Sequence, residues 1–183
     1  MPLSFRPRWA PLILLTATLG ACSPVFNWRE VPIADDGLVA LLPCKPDHAT
    51  RNLPLGTGNG SASVEVDLTG CEAGGATFAV AHAIAEDAAQ ADAWMRAWRA
   101  ATRSQLAGAA IVETPATVPR AAGSPAPVRF EVPQQGAGGP TSAHMLWFAQ
   151  QRGGKTVLYQ ATVLGRPASA EAPGVFFEGL RLP

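Results

Sequence analysis

Alternation of apolar and polar positions marks several strands in this sequence. Residues 62–69 alternate strictly, as expected for a strand with one buried and one solvent-exposed face. Residues 76–85 instead alternate large with small side chains, so alanines form most of one face. The larger side chains of the other face are Phe78, Val80, His82 and Ile84. An alanine face allows a helix to approach the sheet closely, and a helix is the next element that the pattern predicts.

This long helix is predicted over about residues 87–107. Asp87 and Gln90 have the spacing of a capping box, and the alanine-rich sequence that follows has helical periodicity. Trp94 and Trp98 lie four residues apart and therefore share one face of the helix. Packing against the sheet is the expected role of these two tryptophans, and lining a pocket is the alternative.

Shorter apolar segments complete the order of elements. Further strands are expected at residues 38–42, 111–118, 128–132, 143–150 and 155–164. The last two flank the hairpin signal Arg152-Gly153-Gly154, residues 44–60 are interpreted as a polar loop, and residues 169–178 as a short helix. Because the connections are of hairpin length, we expect a largely antiparallel sheet. The order of elements predicts an α+β fold in which one long helix and a short C-terminal helix cover this sheet.

Composition and charge limit the classes of partner. The chain has 183 residues, of which 48% are hydrophobic, and its 14 basic residues balance its 14 acidic ones. Removal of residues 1–21 would take away Arg6 and Arg8 and leave 12 basic against 14 acidic residues, a net charge of −2. Neither charge favours a polyanion, so nucleic acid is not an expected partner.

The N-terminal segment has the pattern of an export signal. Arg6 and Arg8 precede an apolar run over residues 9–19, which is about half the roughly 20 residues that a membrane-spanning helix needs. Ordinary signal-peptidase cleavage after Ala21 is one interpretation of this segment. Leu19-Gly20-Ala21-Cys22, however, resembles the lipobox of bacterial lipoproteins.

That resemblance implies that Cys22 receives a diacylglyceryl group, that cleavage precedes it, and that its new amino group is acylated. Several acyl chains anchor a protein stably where a single chain would be marginal. The implied organisation is a signal peptide at 1–21, a lipidated tether at 22–36 and a single α+β domain at 37–183. Ser23, in the position where aspartate favours the inner membrane, points to the outer membrane, with the domain facing the periplasm.

Four stretches of the remaining chain resemble the PsbP-like α/β/α superfamily. They are ADDGLVALLPCKP, GATFAVAHAIAED, GKTVLYQATVLG and APGVFFEGLRLP. The resemblance extends from Val31 onward and implies an antiparallel sheet flanked by helices. It also implies a non-catalytic binding or assembly role, and it transfers no catalytic residues. The pair of Cys44 and Cys71 departs from the general pattern of that superfamily.

Lipidation of Cys22 would leave these two cysteines in an oxidising compartment. Cys44 and Cys71 each lie at a predicted strand end beside a turn, so we predict a disulfide between them, with two buried thiols as the alternative. A redox role is disfavoured because there is no C-x-x-C motif. Two distant cysteines also supply too few ligands for a metal site.

The other polar residues suggest no catalytic centre. His48, His82 and His144 lack metal-ligand spacing, and His82 is expected to be a partly buried histidine with its polar atoms satisfied. The glycine-rich residues 56–60 lack the lysine of a phosphate-binding loop. No catalytic residue, metal or cofactor is therefore expected.

A basic stripe on the long helix is the remaining candidate site. Arg96, Arg99 and Arg103 share a face that would meet acidic lipid headgroups or the carboxylates of an envelope protein partner. A solvated helix face is the alternative interpretation. The stripe does not specify a partner, and nothing in the sequence specifies the oligomeric state.

Together these features favour a lipid-anchored cell-envelope protein that acts as a non-catalytic binding or assembly module. One alternative is a periplasmic carrier of a small ligand or lipid, which needs an apolar pocket between the sheet and the helix bearing Trp94 and Trp98. Another is an envelope enzyme whose acid, base and nucleophile converge only in space.

Overall fold

A computed structural model describes residues 24–33, 35, 37–55, 63–106, 108–133 and 141–183. The strands in this part of the chain are β1 (Arg29–Ile33), β2 (Leu38–Leu42), β3 (Asp47–Pro54), β4 (Ser63–Ala73), β5 (Ala76–Ala85), β6 (Val112–Pro115), β7 (Val128–Val132), β8 (Ala143–Arg152) and β9 (Lys155–Gly165). The helices are α1 (Ala88–Gln105) and α2 (Ala172–Glu178).

A seven-stranded sheet dominates the structure. Its strand order is β3-β4-β5-β9-β8-β7-β6, and every neighbouring pair is antiparallel. Strands contain far more of the described residues than helices do, so the prediction of an α+β fold is wrong and the fold is mainly β. The prediction failed because β1 and β3 were not recognised as strands.

Both missed strands lie in segments that were assigned to irregular structure. β3 occupies part of the predicted loop 44–60, and its side chains are almost all exposed, so it shows no apolar alternation. β1 lies within the predicted tether 22–36 and pairs with β2 as a separate two-stranded ribbon. Ordered structure therefore begins before residue 37.

The predicted local signals at the start of α1 and at the β8–β9 turn are confirmed. The Asp87 carboxylate accepts a hydrogen bond from the backbone N–H of Gln90 at 2.8 Å, which caps the first turn of α1. The turn between Arg152 and Lys155 consists of two glycines with φ of 58° and 82°. Positive φ at both central positions suits a tight hairpin turn, which only glycine adopts readily.

Helix α1 covers one face of the large sheet. Ala81, Ala83 and Ala85 of β5 are buried there with Met95 and Trp98 of α1. The predicted alanine face thus does receive the helix. Met95 lies at the centre of the contact, whereas Trp94 is only half-buried at its edge.

The opposite face of the sheet is covered by the β1–β2 ribbon and α2. Phe78 is fully buried at its centre and makes edge contacts with Phe26, Trp28 and Phe176, at centroid distances of 5.7–6.2 Å. The chain before β1, the inner strand β5 and helix α2 therefore share one aromatic core.

The predicted disulfide between Cys44 and Cys71 is present, with the two Cα atoms 6.0 Å apart. Cys44 follows β2 and Cys71 belongs to β4. The bond therefore ties the connection that leaves the ribbon to an inner strand of the large sheet.

Candidate functional site

An open cavity of about 850 Å³ lies on the face of the sheet that α2 covers. The residues that define it are Val118, Arg120, Arg129, Leu146, Phe177 and Leu182, and we call it the arginine groove. Its volume falls within the roughly 300–1,000 Å³ that is usual for small-molecule sites. The loop before β7, strands β2, β7 and β8, helix α2 and the segment after α2 supply its walls, so the tertiary fold assembles it.

The floor of the groove is apolar. Leu146 of β8 and Phe177 of α2 are both buried there. Val118 and Leu182 approach from the loop before β7 and from the segment after α2, and they are also buried. The floor is thus continuous with the core beneath α2.

Arg129 rises from this floor. It lies directly opposite Leu146 in the register of β7 and β8, so both side chains project from the same face of the sheet. Its guanidinium carbon is 4.7 Å from the centre of the Phe177 ring, and its Nη1 is 3.8 Å from Glu131 Oε1. A cation over an aromatic face is attracted by the negative charge of the ring face, so this contact helps to hold the guanidinium in the groove.

Arg120 enters the groove from the loop before β7. Its Nη1 donates a hydrogen bond to the carbonyl oxygen of Leu182 at 3.0 Å. Its φ is 63°, and among the described residues it alone has a positive φ without being glycine. Left-handed backbone at a side-chain-bearing residue costs about 1–2 kcal/mol and is typical of functional sites.

The charges that line the groove do not cancel. Arg120, Arg129 and Arg181 line it together with the carboxylate of Glu178. Arg181 is also paired through Nη2 with Glu30 Oε1 at 2.6 Å, and Glu30 belongs to β1. Two arginines and an apolar floor therefore characterise the interior of the groove, an arrangement suited to an anionic group joined to an apolar one.

A second cluster of polar residues crosses β3, β4 and β5. Thr50, Asp67 and His82 are opposite one another in register, and Thr50 Oγ1 donates to Asp67 Oδ1 at 2.6 Å. His82 Nε2 is 3.9 Å from Asp67 Oδ2, and His48 Nδ1 is 3.0 Å from Thr69 Oγ1. This cluster borders a cavity of about 560 Å³.

The three histidines are not brought together. His82 is 5% exposed and packs beside Tyr159, as expected for a buried histidine on the face that also holds Phe78. His48 lines the same cavity as His82, whereas His144 lies 3.9 Å from Glu131 on the opposite half of the sheet. Within the described ranges, no group of three or more His, Cys, Asp or Glu side chains is arranged to hold a metal.

The predicted arginine stripe lies on α1, on the other side of the sheet from the groove. Arg103 pairs with Glu113 and sits 4.5 Å over the Phe130 ring. Arg99 Nε donates to the Met95 carbonyl at 3.4 Å, and partial burial lowers the pKa of its guanidinium, as do the charges of Arg103 and Arg96. Arg96 is exposed, so the three arginines occupy different environments.

Trp98 forms part of the core between α1 and the sheet, as predicted. The carrier alternative places a pocket between the sheet and the helix that bears Trp94 and Trp98. The arginine groove lies instead on the opposite side of the sheet. Sequence reasoning missed the groove because its residues come from distant segments. The signals available were the paired phenylalanines and the arginine near the end of the sequence.

Cys22 lies outside the described residues. Across residues 24–183, excluding the gaps stated above, no helix is long and apolar enough to cross a membrane. Neither a scan of protein-family models nor a search of curated proteins returned a significant match to this chain. The geometry of its own residues is therefore the basis for assigning a role.

Proposed function

We propose that this protein is a non-catalytic binding module of the bacterial cell envelope, anchored to the outer membrane through lipids on Cys22, which binds a small ligand in the arginine groove. The observation that carries the binding role is the groove itself. It joins a buried apolar floor to the guanidinium groups of Arg120 and Arg129. This replaces the carrier pocket considered between the sheet and α1.

The chemistry of the groove favours binding over catalysis. A guanidinium remains protonated at physiological pH, so Arg120 and Arg129 bind anions without exchanging protons. Glu178 is the carboxylate among the described residues that line the groove. The histidine–aspartate pair of the polar cluster has its histidine buried, away from the groove.

Two features support the envelope location. The lipobox-like segment ending at Cys22 implies lipid attachment, and a disulfide such as Cys44–Cys71 persists in oxidising compartments. We also propose that the module binds a protein partner in the envelope and that its domain is related to the PsbP-like superfamily.

Replacing Cys22 with alanine should abolish lipid attachment and the cleavage that precedes residue 22, since no thiol would remain there to carry a lipid, and should alter the distribution between membrane fractions. Fractionation of cell envelopes, with mass spectrometry of the N-terminal peptide, measures both attachment and processing. Ser23→Ala is the matched control and should stay membrane-bound. If Cys22→Ala leaves fractionation and processing unchanged, the lipid anchor is ruled out.

Filling the groove should abolish ligand binding without harming the fold. Gly174 lines the groove, and a Cβ added there meets no atom within 4 Å. Gly174→Trp is therefore expected to occupy the cavity, whereas Gly174→Ala leaves it open. In a thermal-shift screen with lipids and cell-wall fragments, a ligand that raises the melting temperature of the Gly174→Ala protein should have no effect on Gly174→Trp. Flat shifts for every compound would count against the binding role.

A further inference from the structure

We infer that the arginine groove selects a single-chain anionic amphiphile, with one carboxylate or phosphate head held by Arg120 and Arg129 and its apolar chain lying on the floor. This inference rests on the proposed binding function and specifies its ligand class. It draws on the charge, donor geometry and burial of the groove.

The first support is the balance of charge. Three arginines line the groove against Glu178, and Arg181 is engaged by Glu30 from β1. Arg120 donates its hydrogen bond to a neutral acceptor, the carbonyl oxygen of Leu182. Arg129 lies 3.8 Å from Glu131, beyond the length of a close ion pair. An anionic head would therefore meet positive charge that the surrounding carboxylates only partly offset.

The second support is the geometry of the donors. A guanidinium carries five N–H groups, and the bond from Arg120 to Leu182 uses one of them. The guanidinium carbon of Arg129 lies 4.7 Å over the Phe177 ring, a cation–π contact that does not by itself occupy the N–H groups. Carboxylate and phosphate oxygens match the guanidinium fork, often by two parallel hydrogen bonds.

The third support is the apolar floor, which distinguishes an amphiphile from a free inorganic anion. Val118, Leu146, Phe177 and Leu182 all belong to the buried core cluster, yet they also line the open cavity. A ligand chain laid on them would leave water, which favours binding in proportion to the apolar area that it buries. A cavity of about 850 Å³ suits a small ligand of this kind.

The test uses the full chain carrying Cys22→Ala, so that no attached lipid competes for the groove. Isothermal titration measures the Kd for dodecanoate, dodecyl phosphate, dodecanol, dodecyltrimethylammonium and inorganic phosphate. The ionic amphiphiles are kept below their micelle concentrations and dodecanol below its solubility limit. Dodecanoate, dodecyl phosphate or both should bind at least about tenfold more tightly than dodecanol, because hydrogen bonds to a charged head group are stronger than those to a neutral hydroxyl. The cationic amphiphile and inorganic phosphate should bind weakest. Comparison of the two anionic probes distinguishes a carboxylate from a phosphate ligand.

Substitutions then locate the head group. Arg129→Gln is expected to weaken binding of the anionic amphiphile about tenfold to a hundredfold and to leave dodecanol unchanged. Arg51→Gln removes the same charge from exposed strand β3 and should have little effect. Arg129→Lys retains the charge and should bind with intermediate affinity, and circular dichroism establishes that each variant is folded.

The outcomes separate the two proposals. If dodecanol binds as tightly as the anionic probes, and Gly174→Trp still blocks it, the charge selection is wrong while the groove remains a binding site. If Arg51→Gln weakens binding as much as Arg129→Gln does, attraction is non-specific and the inference also fails. If no probe binds and the wider thermal-shift screen is flat, the binding function itself is overturned.

Discussion

Replacing both Cys44 and Cys71 with alanine is expected to lower the free energy of unfolding by about 3–4 kcal/mol. The bond closes a loop across a sequence separation of 27 residues, and a loop of that length sets the expected value in the chain-entropy model. Since small proteins have total stabilities of about 5–15 kcal/mol, this loss is a large fraction. Urea denaturation followed by circular dichroism measures it.

The matched control for the disulfide is the protein that keeps Cys44 and Cys71, unfolded in the presence of dithiothreitol. Reduction breaks the same bond while keeping both side chains, so its midpoint should approach that of the double variant. Both measurements use the Cys22→Ala chain, which removes the third thiol. A loss below about 1 kcal/mol in both would contradict a stabilising role for the bond.

Phe78→Ala should cost about 3–5 kcal/mol of unfolding free energy, the usual range for deleting a buried aromatic ring. Phe78 is fully buried, and its ring touches those of Phe26, Trp28 and Phe176. The cavity left by its removal would be shared by the chain before β1, the sheet and α2. Urea denaturation again gives the free energy.

Two substitutions calibrate this result. Phe78→Leu keeps most of the apolar volume and should lose much less stability than alanine does. Ile84→Ala lies on the same face of the same strand, but Ile84 is 45% exposed and should change stability little. Equal losses for Phe78→Ala and Ile84→Ala would show that the aromatic cluster is not a stabilising core.

Local sequence patterns predicted the parts of the fold that depend on local physics. The alternation in residues 62–69 and 76–85 identified most of β4 and β5, because a sheet face packed against a core imposes a period of two. The cap at Asp87 and the glycine pair of the β8–β9 hairpin were recognised because each requires a particular side chain or backbone conformation.

The missed strands show which elements such patterns fail to predict. β3 is an edge strand held by backbone pairing to β4, and its exposed side chains carry no burial signal. Its backbone pairing is therefore invisible in the sequence DHATRNLP. Without β3 and β1, the predicted number of residues in strands was too low, and the predicted fold class was wrong.

The arginine groove was beyond prediction for a different reason. Arg129 and Leu146 become neighbours only through the register of β7 and β8, and Phe177 joins them through the packing of α2. The left-handed backbone of Arg120 has no signal in its residue type. By contrast, the burial of His82 and the Cys44–Cys71 bond followed from position and compartment and were predicted.

If Cys22 is lipidated as proposed, the early start of ordered structure limits the distance between the domain and the membrane. The amide of Asn27 already donates to the carbonyl of Pro43 at 2.7 Å, so the chain is held two residues before β1. With lipids on Cys22, the five residues that lead to Asn27 span at most about 18 Å, against about 54 Å for a tether reaching residue 37. A domain tethered so closely through Cys22 would lie near the lipid headgroups and would not reach far into the periplasm.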